Sequence, residues 1–195
     1  MRALILTVDQ RGSRTAPDLV ERAAERYAAG ALLAFERTAG DEMQALYTDP
    51  AAAVATVEGM LREDAWYVGV GAGAVETPLP DHVRAGRGEA YVLAREAVTR
   101  AKNAPAHLAV GGPDYRSRQV ETVLWLWAGV LHRRTAKGWE VADLVATGLT
   151  HQQVADRLGI TQSAVTQRAR AAGLVEADRA RTLATELLAA LLEED

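Results

Sequence analysis

Between Thr150 and Gly173 the chain reads THQQVADRLGITQSAVTQRARAAG, and few local structures can accommodate that order. Thr150 is a good N-cap, and Val154, Ala155 and Leu158 recur at helical spacing. Gly159 follows, a residue free to take positive φ where a tight corner needs it. Ile160 plugs the corner, and Thr161 caps a second helix that turns Val165 inward. Ala155 is small where two helices would cross closely. The pattern predicts a helix-turn-helix. Its second helix would present Gln162, Ser163, Thr166, Gln167 and Arg170 outward, with Thr161 at its start. Such side chains bond base edges and phosphates, so double-stranded DNA is the expected partner.

Net charge tests that expectation, because the chain carries −4 overall. The segment Arg133–Arg181 holds eight Lys/Arg against five acids, so it is +3 and the remainder −7. A basic patch on an acidic protein favours local docking over coating of DNA. With 49% apolar residues the chain is globular. It has no cysteine, which excludes disulfides, thiol nucleophiles and thiolate metal sites. The strongly apolar run Val123–Leu131 is too short to span a bilayer. The opening MRALILTVD alternates like a strand rather than a signal peptide, so a cytoplasmic protein without membrane contact is expected.

The first hundred residues alternate strand and helix signals. Residues 2–8 read as a strand, and Ala16, Leu19, Val20, Ala23, Ala24 and Tyr27 as one helical stripe with Pro17 near its start. Residues 31–37 and 42–47 form two strands joined by Thr38-Ala39-Gly40-Asp41, a hairpin signature. Pro50 opens a second helix, residues 66–70 form a strand, residues 89–102 a helix and 107–110 a short strand. This β-α-β-β-α-β order, with an α-β extension, is that of a ferredoxin-like sheet. Gly111-Gly112-Pro113 punctuates its end. The expected class is therefore α+β, with a sheet domain at residues 1–112 and an all-α helix-turn-helix domain at 113–195. Trp125 and Trp127 sit on a helix apolar almost all round, which fits core or a dimer contact.

In that topology the end of the first strand and the hairpin turn share one end of the sheet. Asp9 would therefore meet Asp41 and Glu42, a carboxylate set able to hold Mg²⁺ with a nucleotide. The adjoining loop offers Arg11, Ser13 and Arg14 to a polyphosphate. Gly69-x-Gly71-x-Gly73 is no dinucleotide fingerprint, since a proline-containing loop follows it. The four histidines are scattered and give no zinc spacing.

The segment Arg37-Thr38-Ala39-Gly40-Asp41-Glu42-Met43 resembles the hairpin of class III nucleotide cyclases and of the diguanylate cyclase (GGDEF) family, whose first strand also ends in a metal-binding Asp. Residues 66–73 and 90–95 resemble that superfamily's sheet and following helix. Arg95 falls where cyclases carry an arginine that stabilises the transition state, so the resemblance implies a nucleotide-binding role for it. Tyr91 stands where those families carry an asparagine, which implies nucleotide binding without turnover. Along nearly its full length the chain resembles the SatD family, through Asp9, Ser13, Arg14, Gly40, Asp41, Glu42 and the late helix-turn-helix.

The combined expectation is a homodimeric transcriptional regulator whose degenerate cyclase-like half pairs copies or senses a nucleotide. An Mg²⁺-dependent nucleotide cyclase and a purely protein-binding module are the rival readings.

Overall fold

The structure, a computed structural model, describes residues 1–193. Five strands make one mixed sheet: β1 (Arg2–Gln10), β2 (Leu33–Ala39), β3 (Glu42–Tyr47), β4 (Trp66–Ala74) and β5 (Leu108–Gly111). Their order is β2-β3-β1-β4-β5. β3 lies between β1 and β2, antiparallel to both; β4 is antiparallel to β1, and β5 is parallel to β4.

Eight α-helices accompany the sheet among the described residues. In the sheet-forming part they are α1 (Val20–Arg26), α2 (Pro50–Glu63) and α3 (Glu89–Ala101). Beyond it come α4 (Arg116–His132), α5 (Ala136–Ala146), α6 (His151–Leu158), α7 (Gln162–Ala171) and α8 (Leu174–Leu192). Among the described residues no helix is long and apolar enough to cross a membrane.

α1 starts later than the apolar stripe predicts, and Ala16 and Pro17 lie outside it. The cause is Gln10, whose buried amide donates to the Pro17 carbonyl at 2.7 Å and accepts from the Leu19 N–H at 2.8 Å. These two bonds hold residues 17–19 in a loop. α2 begins as the sequence predicts, with Pro50 in its first turn and the Asp49 carboxylate accepting from Ala51 N–H.

Strand alternation sorts the core. Leu4, Leu6 and Val8 point to one face, where they join Val54, Val57 and Met60 of α2. Ala3 and Ile5 point to the other, where Ala90, Tyr91 and Ala94 of α3 cover them. The first face is the thicker, because α4 and α8 also lie on it. Leu124, Trp127, Leu131, Leu188 and Leu191 are buried there in the same cluster as the β1 and β4 side chains.

This packing bears on the boundary expected at residue 112. The core runs straight across it, because α4 and α8 form the helical layer that the sheet needs on that face. The separately packed unit is smaller: α5, α6 and α7 enclose Val141, Val154, Ala155, Val165 and Ala169. It is inserted between α4 and α8. Its entry and exit meet, since Arg134 Nε donates to the Ala172 carbonyl at 2.7 Å. Trp127 belongs wholly to the core, and Trp125 is half-buried with its indole N–H on the Leu108 carbonyl at 2.8 Å. Leu126 between them is 69% exposed.

The inserted unit is tied down at its side as well as at its ends. Arg62 of α2 makes a two-pronged ion pair with Asp143 of α5, at 2.6 and 2.8 Å. Its guanidinium lies over the Trp139 ring at 4.2 Å, and that of Arg134 at 4.6 Å.

Candidate functional sites

The α6–α7 pair is built by local chemistry. The Thr150 side chain accepts from Gln153 N–H while the Gln153 side chain accepts from Thr150 N–H, a capping box. Gly159 ends α6 at φ 64°, and its N–H bonds the Ala155 carbonyl. Thr161 starts α7 by accepting from Ala164 N–H at 3.2 Å. Val165 and Ala169 are then buried against α5 and α6, spaced four apart on one side of the helix.

The opposite side is open. Gln162, Ser163, Thr166, Gln167 and Arg170 are all exposed, as is Thr161. Their hydroxyl groups are not equally free. Thr161 is occupied as the cap, and the Thr166 hydroxyl donates to the Gln162 carbonyl at 3.1 Å, with His151 Nδ1 also at 3.1 Å. Thr166 therefore offers chiefly its methyl group. Gln162, Gln167 and Arg170 carry the uncommitted donors and acceptors.

At the far end of the sheet, Asp9 and Glu42 are register partners and Gln10 N–H bonds the Asp41 carbonyl at 3.1 Å. The topology brings Asp9 and Asp41 together. Sequence reasoning missed the third member, Lys102, whose ammonium lies 2.6 Å from the Asp9 carboxylate. Lys102 follows the last turn of α3, where the helix dipole favours a cation. The Ser13 hydroxyl is the main reason the Asp41 carboxyl is held below its ordinary value, with help from Asp9 and Lys102.

The remaining candidates disperse. Glu42 accepts from Thr38 Oγ1 at 2.6 Å. Arg11 turns away to the Asp64 carbonyl at 2.8 Å and pairs with the Asp64 carboxylate. Arg14 is exposed. Arg95 stands two turns before Lys102 on α3, beside a different cavity. Among the described residues no group of three or more acidic, His or Cys side chains could hold a metal ion. With an ammonium already on Asp9 and Glu42 engaged by Thr38, these side chains do not suit a divalent cation.

Linkage gives this cluster a pH window. The Asp41 folded pKa lies below its ordinary 3.8, so its contribution is complete above about pH 4 and is lost as pH falls through the folded value. The Lys102 pKa is raised above 10.5, chiefly by its hydrogen bond to Asp9; its contribution is complete below 10.5 and lost as pH rises past the folded value. Lys102→Ala should therefore shift acid unfolding, followed by circular dichroism, to higher pH. Coincident acid midpoints would show that the ammonium does not sustain the Asp41 carboxylate.

The chain matches no protein-family model and no curated protein sequence.

Proposed function

We propose that this protein is a DNA-binding regulator that reads a site in the major groove through α7. One observation carries the reading: α7 buries Val165 and Ala169 in a compact three-helix unit and leaves Gln162, Gln167 and Arg170 exposed along the outer side. Glutamine can pair two-pronged with adenine and arginine with guanine, so these types suit base edges. Thr166 would meet a thymine methyl, and Ser163 with the start of α7 at Thr161 would meet phosphates.

In this proposal the sheet half is ferredoxin-like, with β4-β1-β3-β2 as its basic order and β5 as an extension. That strand order and the Asp9–Asp41 pairing are what support the cyclase-like and SatD resemblances. The sheet half would pair two copies, because one such unit covers only a short half-site. The Asp9–Lys102 pairing favours a structural over a metal-binding role for that corner.

Selection of binding sites from a random duplex pool tests the reading, with sedimentation giving the number of copies per site. The parent should enrich a defined sequence. Gln167→Ala should cost specific binding roughly 1–3 kcal/mol, about 5- to 150-fold, and leave non-specific binding nearly unchanged. No enrichment by the parent, or the same specificity ratio in both proteins at fixed salt, would reject α7 as the reader.

A further inference from the structure

On the face of the sheet opposite α4 and α8, a cavity of about 430 Å³ opens between α3 and the segment before it. Arg84, Arg87 and Arg95 contribute to its wall, with Glu96 the one carboxylate among the lining residues. Among the described residues none of these three arginines forms an ion pair or a side-chain hydrogen bond. Arg11, Arg62 and Arg181, by contrast, are committed to Asp64, Asp143 and Glu58. Three exposed arginines around one hollow set up a positive potential that an anion would offset.

Tyr91 gives an independent indication. It lies in the same wall, nine-tenths buried, and its hydroxyl has no hydrogen-bond partner. A buried unsatisfied hydroxyl costs roughly 1–3 kcal/mol. Burial also pushes the Tyr91 pKa up, so the group remains a donor at neutral pH. Gly86 makes room for it: a Cβ there would stand 1.9 Å from the hydroxyl oxygen. The wall also includes Gly88, the N-cap of α3, where no side chain caps the helix. The positive end of the helix dipole adds to the potential of that wall, offset in part by the Glu89 carboxylate, which accepts from Ala74 N–H at 3.3 Å.

We infer that this cavity binds a small phosphorylated ligand, with Arg84, Arg87 and Arg95 on the phosphoryl oxygens and the Tyr91 hydroxyl, once a shift of the segment at Gly86 uncovers it, as a further donor. Guanidiniums match phosphate in two-pronged geometry. The cavity exceeds the needs of a lone phosphate and falls in the range of small-molecule sites. Its wall also holds Val92, 59% exposed, and Gln44, whose amide nitrogen is engaged by Thr7 Oγ1 at 2.8 Å, leaving an acceptor oxygen. The concavity of the site favours a free small molecule over a nucleic-acid backbone. The inference stands independently of α7 reading DNA.

Titration calorimetry of the full chain at low salt, with inorganic phosphate, pyrophosphate and ADP as probes, tests it. At least one of pyrophosphate and ADP should bind saturably and more tightly than phosphate. The Arg84→Ala/Arg87→Ala variant should bind it about tenfold or more weakly, and Tyr91→Phe several-fold more weakly while the free protein melts at or above the parent's temperature. ADP binding above pyrophosphate would place a nucleoside on the Val92 side; equal binding would leave the phosphoryl group as the whole determinant. Absence of saturable binding of every probe up to about 10 mM would overturn the inference. Undiminished binding by the double arginine variant would do the same. A loss of duplex affinity in that variant, without a loss for the small probes, would assign the arginines to nucleic acid and also overturn it.

Discussion

With residues 134–172 removed and Arg133 joined to Gly173 by a short Gly-Ser linker, the chain is expected to fold around its sheet and unfold cooperatively. Residues 1–112 alone are not. The excision is permitted because α4 ends where α8 begins: a Cβ on Gly173 would lie 2.6 Å from a Val130 methyl. It leaves the α4–α8 layer in place over Leu4, Leu6, Val68 and Val70. The fragment loses that layer and uncovers a broad apolar face. Burial of Leu124, Trp127, Leu131, Leu188 and Leu191 contributes roughly 1.5–3 kcal/mol each, comparable together to the whole stability of an ordinary domain. Thermal unfolding followed by circular dichroism decides the matter. A 1–112 fragment melting cooperatively at the parent's midpoint would show that the sheet needs no cover from α4 and α8.

Gly71→Val should destabilise the protein by more than about 3 kcal/mol, lowering the melting temperature by roughly 6–12 °C. β4 carries glycine at 69, 71 and 73, all toward α3. A Cβ at Gly71 would stand 2.2 Å from the Ala90 carbonyl oxygen and 2.3 Å from the Ala94 nitrogen. Those are backbone atoms of α3, so no side-chain rotation relieves the clash; the helix must lift off the strand. Lifting it opens the small cluster of Ala3, Ile5, Leu46 and Tyr91 beneath. A Gly71→Val variant melting within 2 °C of the parent (about 1 kcal/mol or less) would mean that α3 shifts freely on the sheet.

These two cases show why some features were legible in the sequence and others were not. The α6–α7 pair was legible because its determinants are neighbours: the Thr150–Gln153 box, Gly159 in the left-handed region, and Thr161 ahead of Val165. The β2–β3 hairpin was legible for the same reason. The Gly69-Gly71-Gly73 run could be excluded as a dinucleotide fingerprint, but its purpose depends on Ala90 and Ala94, about twenty residues later. The apolar helix around Trp127 announced a buried face without saying which surface would cover it, hence the expected boundary at 112. Lys102 was missed because a lysine at a helix end has no distinguishing local pattern. Only the crossover that lays α3 along β4 brings it to Asp9, 93 positions earlier.

If α7 reads DNA as proposed, the lateral clasp at Trp139 has a consequence for how two copies would share one operator. Ion-paired through Asp143, stacked beneath two guanidiniums and closed at Arg134–Ala172, the α5–α7 unit has little slack relative to the sheet. The pitch between two readers would then be set by how the sheet halves meet, as on a fixed caliper, rather than by linker length. Moving one half-site by a single base pair turns its groove by roughly a tenth of a turn. A pair held this way would accept one spacing and reject the adjacent ones, so spacing would become a specificity determinant that no residue of α7 encodes.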